Sequence, residues 1–334
     1  MKVAVKLPLI AGICSSLLLA GCSFSSQPEE YAEVDGFKLD TYVSIAAYDD
    51  TPESVLREAL GLCDKYEKIF SMQDTTSELW KLNNNETTVV SEELGDAINR
   101  ALYMSELSGK RFQVSIGSVS RLWDFRGDNP EIPDDKLIKE QLAYVDDSGI
   151  KLTKTDNGWS VSKNPGTVID LGAVAKGYIA DKIKDFLIEK GTKSAIINLG
   201  GNVCCLGDKD GEPFNIGVRK PFGELSDTVA VFKMHDASLI TSGISERYFK
   251  KDGRIFHHIL DPSTGYPLEN NLYQVSVITK NSLDGDCLST VCFTLGLDEG
   301  LKLVESLPDT EAVFITNDNE LHYSSGAEQL LRRQ

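Results

Sequence analysis

The chain has 334 residues, with 51 Asp and Glu against 34 Lys and Arg, a formal charge of −17 at pH 7 and a hydrophobic fraction of 41%. This length and hydrophobic share suit one large domain or two intimately joined ones. The acidic balance argues against nucleic acid as a partner and against lying flat on an anionic membrane, since both rely on clustered Lys and Arg.

Lys2 and Lys6 open a positive region, followed by an apolar run from Leu7 to Leu19. The run is shorter than the roughly 20 residues of a spanning helix, so it reads as a leader. It ends in Leu19-Ala20-Gly21-Cys22, and small residues directly before a cysteine resemble the bacterial lipoprotein cleavage box. Cys22 would then be the lipidated first residue of a mature chain of 334 − 21 = 313 residues. An uncleaved anchor or an ordinary secretory signal shares the positive start and apolar core. Ser23 to Glu30 reads as a polar tether, and 31–334 as the folded domain. Cys63, Cys204, Cys205, Cys287 and Cys292 remain. Their odd number, irregular spacing and lack of a CxxC pair fit neither a disulfide scaffold nor a structural zinc site. They read as small buried apolar side chains.

In chain order, Tyr42–Tyr48 predicts a strand. Pro52–Phe70 predicts a helix, with Val55, Leu56, Ala59, Leu62 and Cys63 at helical spacing. Ser91–Leu107 predicts a second helix, with Ser91 as N-cap and Gly109 as stop. Phe112–Ile116 reads as a strand and Pro133–Tyr144 as a short helix. Further strands are expected at 150–153, 159–162, 194–198, 214–218, 228–234, 238–241, 255–260 and 273–279. Helices are expected at Ala173–Lys190, Asp284–Leu295 and Asp298–Ser306, with a closing hairpin from 311–316 and 321–323. Many antiparallel-type strands with helices between and around them predict an α+β fold with mixed, largely antiparallel sheets.

Three segments carry chemistry. In Asp170-Leu-Gly-Ala-Val-Ala-Lys-Gly177 a strand feeds a helix that starts near Ala173. Small residues there permit close approach, free N–H groups suit phosphate, and Lys176 adds a cation. The same residues also make an ordinary strand–helix corner. In Asp286-Cys-Leu-Ser-Thr290 a carboxylate and a hydroxyl lie four apart on one helix face, hard oxygen donors of the kind that suit Mg²⁺. A plain helix start would read similarly. In Arg254-Ile-Phe-His-His-Ile-Leu-Asp-Pro-Ser-Thr-Gly-Tyr-Pro267 two histidines end a strand before a tight turn, so His257 and His258 point to opposite faces. One is expected to be structural, and the other a base suited to neutral pH.

These segments, in this order, resemble the FAD:protein FMN transferase (ApbE) family. The resemblance extends through Thr241-Ser-Gly-Ile-Ser-Glu-Arg-Tyr-Phe249, Ser77-Glu-Leu-Trp-Lys-Leu-Asn83, Leu122-Trp-Asp-Phe125 and Asn198-Leu-Gly-Gly201, so it covers nearly all of the mature chain. It implies an ApbE-like fold and an enzyme that cleaves FAD, attaches FMN to a Thr or Ser of an exported target protein and releases AMP. It also implies Mg²⁺ held by Asp286, Thr290 and the Ala173 carbonyl, and phosphate held by Lys176. Asp170 and Ile259 would contact the flavin nucleotide, and His258 would accept the proton of the incoming hydroxyl. Leu39, Gln73 and Ser115 stand where the family contacts the flavin, although Leu39-Asp40-Thr41 and Phe112-Gln-Val-Ser-Ile-Gly117 depart from the usual residues. The expected setting is the extracytoplasmic face of a bacterial membrane, with a lipid anchor on Cys22. A hydrolase giving FMN and AMP, and a lipoprotein that only binds flavin, are the competing readings.

Overall fold

The computed structural model describes residues 31–332 other than 126, 128 and 225; the leader, Cys22 and the tether lie outside the described residues. In chain order the elements begin with β1 (Ala32–Lys38), β2 (Thr41–Ala47), α1 (Glu53–Phe70), α2 (Glu78–Asn83), β3 (Val89–Val90), α3 (Glu92–Leu107), α4 (Gly117–Ser120) and α5 (Asp135–Leu142). Then come β4 (Lys151–Thr155), β5 (Gly158–Ser162), α6 (Ala175–Glu189), β6 (Ala195–Leu199), β7 (Asn202–Leu206), β8 (Phe214–Arg219), β9 (Thr228–Met234) and β10 (Ser238–Gly243). The chain continues through β11 (Tyr248–Lys251), β12 (Arg254–His257), β13 (Leu272–Thr279), α7 (Ser282–Leu295), α8 (Leu297–Ser306), β14 (Glu311–Thr316), β15 (Leu321–Tyr323) and α9 (Ala327–Leu330). No described helix is long and apolar enough to cross a membrane.

Eight strands form one antiparallel sheet in the order β1-β2-β6-β7-β10-β13-β14-β15. Strand alternation gives the sheet two apolar faces. Val43, Ile45, Ile197, Val275 and Val277 face a core shared with α1, α6 and α7. Cys205, Leu239, Ile278, Val313 and Ile315 face the β8–β9 hairpin, whose Phe214, Ile216, Phe232 and Met234 complete a second core. A third cluster, with Val119, Trp123, Ile138, Phe249, Phe256 and Leu260, packs the region of α4 and α5 against the β11–β12 hairpin. All five described cysteines are buried and unpaired; Cys204 and Cys205 are adjacent on β7 and serve opposite cores.

Register places the important turns together. Val43 pairs with Leu199, Leu199 with Asn202, and Leu239 with Val203, so the β1–β2 turn, the β6–β7 turn and the far end of β10 share one end of the sheet. Gly200 (φ 63°) and Gly201 (φ 98°) form the β6–β7 turn, where two positive-φ positions suit the twist of a hairpin. α6 leads back into β6 at Ala195, so its N-terminus starts at this same end.

Several expectations change. Phe112–Ile116 is not a strand: Val114 and Ser115 give their N–H groups to the Asp147 carboxylate at 3.1 and 2.8 Å, and only Ile116 makes a bridge, to Val168. β12 stops at His257 rather than Leu260, because the turn at 261–267 begins to fold back: Leu268 N–H reaches Ile259 O at 2.9 Å. Helix α6 starts at Ala175, two residues later than expected.

Candidate active site

The site begins where α6 crosses α7. A Cβ on Gly177 would lie 2.3 Å from the Ser282 carbonyl oxygen and 2.7 Å from Asp286 Cβ, so only glycine allows this approach. Across it the Gly177 N–H donates to Asp286 Oδ2 at 2.8 Å. In an ordinary helix that N–H would go four residues back, to the Ala173 carbonyl, which is therefore spared that bond. Lys176 Nζ stands 3.8 Å from Asp286 Oδ1, and Asp286 is only 3% exposed. One turn further along α6, the Asp181 carboxylate accepts the Ser282 and Leu283 N–H groups at 2.8 and 2.9 Å and caps α7.

β10 brings the next parts. Ser242 Oγ lies 2.9 Å from Thr290 Oγ1 and 2.8 Å from Ser289 Oγ, which fixes the Thr290 end of α7 against the sheet end. Beyond Gly243 the chain turns through Glu246 and Arg247 into β11. Glu246 is exposed by area, yet protein crowds its carboxyl. That crowding pushes its carboxyl up to about 7, with Asp286 adding to the rise and Lys176, Arg247 and Arg219 opposing it.

The two histidines divide as their opposite faces require. His257 is buried, its Nε2 bonds to the Leu268 carbonyl at 3.0 Å, and its ring meets Phe293 edge-on at 6.1 Å. Its Nδ1 has no partner, and burial lowers its pKa to about 4. His258 is half-buried. The Arg247 carbonyl receives its backbone N–H at 3.2 Å and lies 3.3 Å from its Nδ1. A carbonyl only accepts, so Nδ1 carries the proton and Nε2 keeps a lone pair. Burial first, then the nearby charges of Arg247, His257 and Lys176, lower its pKa to about 3 and hold it neutral.

Among the described residues no group of three or more His, Cys, Asp or Glu gathers as a metal cage. Mg²⁺ needs no such cage: one or two carboxylates suffice when water and phosphate complete an octahedron. Asp286 Oδ1, the Thr290 hydroxyl and the spared Ala173 carbonyl are hard oxygen donors that fit this pattern.

The ApbE family profile matches residues 39–314. The chain belongs to the ApbE family. An FAD:protein FMN transferase from Klebsiella pneumoniae is 34% identical over 276 residues, covering 82% of this chain and 85% of that protein. One from Treponema pallidum is 32% identical over 337 residues, covering 94% and 92%. The crystal structure of the ApbE protein from Thermotoga maritima matches with a TM-score of 0.83 at 29% identity, over 91% of this chain and all of that one.

Within this ApbE-family fold the remaining expected site residues fall into two groups. Asp170 precedes α6, with Oδ2 accepting from Ser120 Oγ at 2.7 Å and Oδ1 from the Gly172 N–H at 2.8 Å. Leu39 (φ 51°) and Asp40 (φ 62°) form the β1–β2 turn at the site end of the sheet, and Gln73 is exposed after α1. Ser115 and Ile259 offer a ligand no side-chain surface. Ser115 is fully buried with its hydroxyl given to Asp147 at 2.5 Å, and Ile259 packs in the main core at 6% exposure. Sequence reasoning missed Asp181, Ser242 and Glu246. Asp181 sits at i+4 from Gly177, a spacing that marks one helix face. Asn83, from the quoted Ser77–Asn83 motif, clamps the segment before Asp170 through both Ile169 backbone groups at 2.8 Å; that segment is not the strand expected there, since only Val168 makes an isolated bridge.

Proposed function

We propose that this chain transfers FMN from FAD to a hydroxyl of a protein acceptor and releases AMP. The observation that carries the reading is the meeting of Lys176, Asp286, Thr290 and His258 at one sheet end in a chain whose relatives are named FAD:protein FMN transferases. His258 Nε2 takes the proton of the acceptor hydroxyl. The freed oxygen attacks the FMN-side phosphorus, the bond to the bridging oxygen breaks, and AMP leaves with that electron pair. Lys176 and the start of α6 hold phosphate oxygens. Asp286, Thr290 and the Ala173 carbonyl would hold Mg²⁺, and the chemistry such an ion supplies is neutralisation of pyrophosphate charge. The low proton affinity of His258 in the free protein rises as phosphates bring negative charge beside it.

The chain acts, on this reading, as a lipoprotein anchored through Cys22 on the extracytoplasmic face of a bacterial membrane, with an exported acceptor. The leader and its cleavage box support that placement. The test mixes protein from residue 23 onward with FAD, Mg²⁺ and a threonine-bearing acceptor polypeptide. The expected result is an acceptor mass increase equal to FMN, equimolar AMP, and loss of both with EDTA. AMP without a modified acceptor would instead indicate a hydrolase.

A further inference from the structure

The connection from β8 to β9 contains Lys220-Pro221-Phe222-Gly223, closed by Gly223 N–H to Lys220 O at 3.0 Å. Proline in the second position and a positive φ in the third define a type II turn, and the third position ordinarily takes Gly or Asn. Here it holds Phe222 at φ 58°. A bulky side chain in the left-handed region is strained, and such strain persists where the surroundings enforce it and clusters at functional sites. The surroundings are aromatic. The Phe222 ring meets Tyr248 at 5.2 Å and 88°, and Tyr273 at 5.3 Å and 86°, yet it remains 38% exposed.

This cluster borders the reacting histidine. Tyr248 follows Arg247, whose carbonyl holds His258, and the Tyr273 carbonyl accepts the Ile244 N–H at 3.0 Å just before Glu246. The turn is braced by Arg219, whose Nη2 donates to Gly223 O at 3.1 Å while its carbonyl accepts from Gln274 Nε2 at 3.3 Å. Arg219 and Lys220 precede the ring in the chain and Arg247 precedes Tyr248, while Glu224 and Asp227 follow the turn, Asp227 Oδ2 accepting the Glu224 N–H at 3.1 Å. Among the described residues none of these three cations has a carboxylate within ion-pair distance, in a chain whose acids outnumber its bases by 17. Glu246 acts on Arg219 and Arg247 from further away without pairing with either.

We propose that Phe222, propped on Tyr248 and Tyr273 and flanked by Arg219, Lys220 and Arg247, is the docking lip for the protein acceptor, and that it fits an acidic segment beside the reactive hydroxyl. The proposal rests on the transferase reading, because an acceptor hydroxyl that reaches His258 must bring its backbone across whatever surface borders that residue. FAD phosphate has Lys176 and the start of α6 for its charge, which leaves the lip's cations to the second substrate.

The test uses protein from residue 23 onward and two threonine-bearing acceptor polypeptides that differ only in flanking residues, acidic in one and lysine in the other. The wild type is expected to use the acidic acceptor about tenfold better in kcat/KM. Phe222→Gly and Phe222→Asn remove the ring while tolerating the turn. Each is expected to raise the acceptor KM about tenfold and leave the KM for FAD within about twofold. Lys220→Glu is expected to narrow the preference for the acidic acceptor. Equal use of both acceptors, an unchanged acceptor KM in both Phe222 variants, or a rise in FAD KM instead would each overturn the docking lip while leaving transfer intact. No transfer by the wild type to either acceptor would overturn the transferase reading, and the lip with it.

Discussion

Gly177 and Asp286, 109 residues apart, are joined by a 2.8 Å hydrogen bond that runs between the first turn of one helix and the buried carboxylate of another. Helix α6 thus sets the position of the acid on α7, and the bond diverts an N–H from the Ala173 carbonyl. The parts proposed to hold phosphate and metal are therefore one mechanical unit.

Gly177→Ala tests that unit. The added Cβ collides with the Ser282 carbonyl, which is backbone and cannot rotate away. The variant should lose about 1–3 kcal/mol of stability, as overpacked sites do, and more than tenfold in FMN transfer. Urea unfolding and initial rates read the two losses separately. Wild-type values in both would show that the helices slide apart without consequence.

The two histidines should separate rate from stability. His258→Ala is expected to lower kcat by 10²-fold or more, the usual share of a proton-transfer group, while FAD still binds. His257→Ala should mainly lower the unfolding midpoint, since it empties space beside Phe293 and leaves the Leu268 carbonyl unpaired. Transfer at the wild-type rate by the His258 variant would remove it from the mechanism.

Acid should destabilise the fold through His257. Its pKa is about 4 in the folded chain and about 6.5 unfolded, so the unfolded state binds the proton first. The contribution is complete above pH 6.5 and is lost as pH falls from there to about 4. Its ceiling is about 3 kcal/mol, from 1.36 kcal/mol for each unit of difference. Denaturant midpoints between pH 7.5 and 4.5 measure the slope, and His257→Leu, which takes up no proton, should make it shallower, leaving the share of His258, whose pKa burial also lowers.

Asp286→Asn keeps an oxygen for the Gly177 N–H but removes the charge. The Mg²⁺ concentration for half-maximal activity should rise at least tenfold. With Asp286 neutral the Glu246 carboxyl also loses a neighbour that raises its pKa, so that pKa should move down. A magnesium titration that overlays the wild type would exclude Asp286 as a ligand.

Cys22→Ser should abolish labelling by radioactive palmitate and release the protein from membranes to the soluble fraction. Retention of label would place the lipid elsewhere.

Much of the fold was legible because local signals agreed with tertiary demand. Ser91 caps α3 through the Leu94 N–H, the periodicity of 53–70 gave α1, and β9 and the β14–β15 hairpin fall where alternation placed them. The failures share a cause. At 112–116 the pattern was strand-like, but Asp147, more than 30 residues on, takes the N–H groups that a ladder would use. β7 went unread because Cys204 and Cys205 face two different cores, which erases the alternation. Of the site, Asp286 and Thr290 lie four apart on one helix as spacing implied, and the α6–α7 crossing brings Lys176 to Asp286. Asp181 and Glu246 were silent because their roles depend on partners far along the chain. Phe222 was silent for a different reason, since no local rule puts an aromatic residue in a position made for glycine.

The five buried cysteines give the folded chain a chemical clock. Reaction with alkylating reagents needs a thiolate at the surface. Burial raises all five thiols, to about 12 at Cys63 and Cys292, so the native protein should resist labelling without any reductant present. Each label acquired then timestamps an opening event. Cys287 reports loosening of α7 within the main core, while Cys205 reports departure of the β8–β9 hairpin from the sheet. The order in which masses appear would rank the cores by how often they breathe.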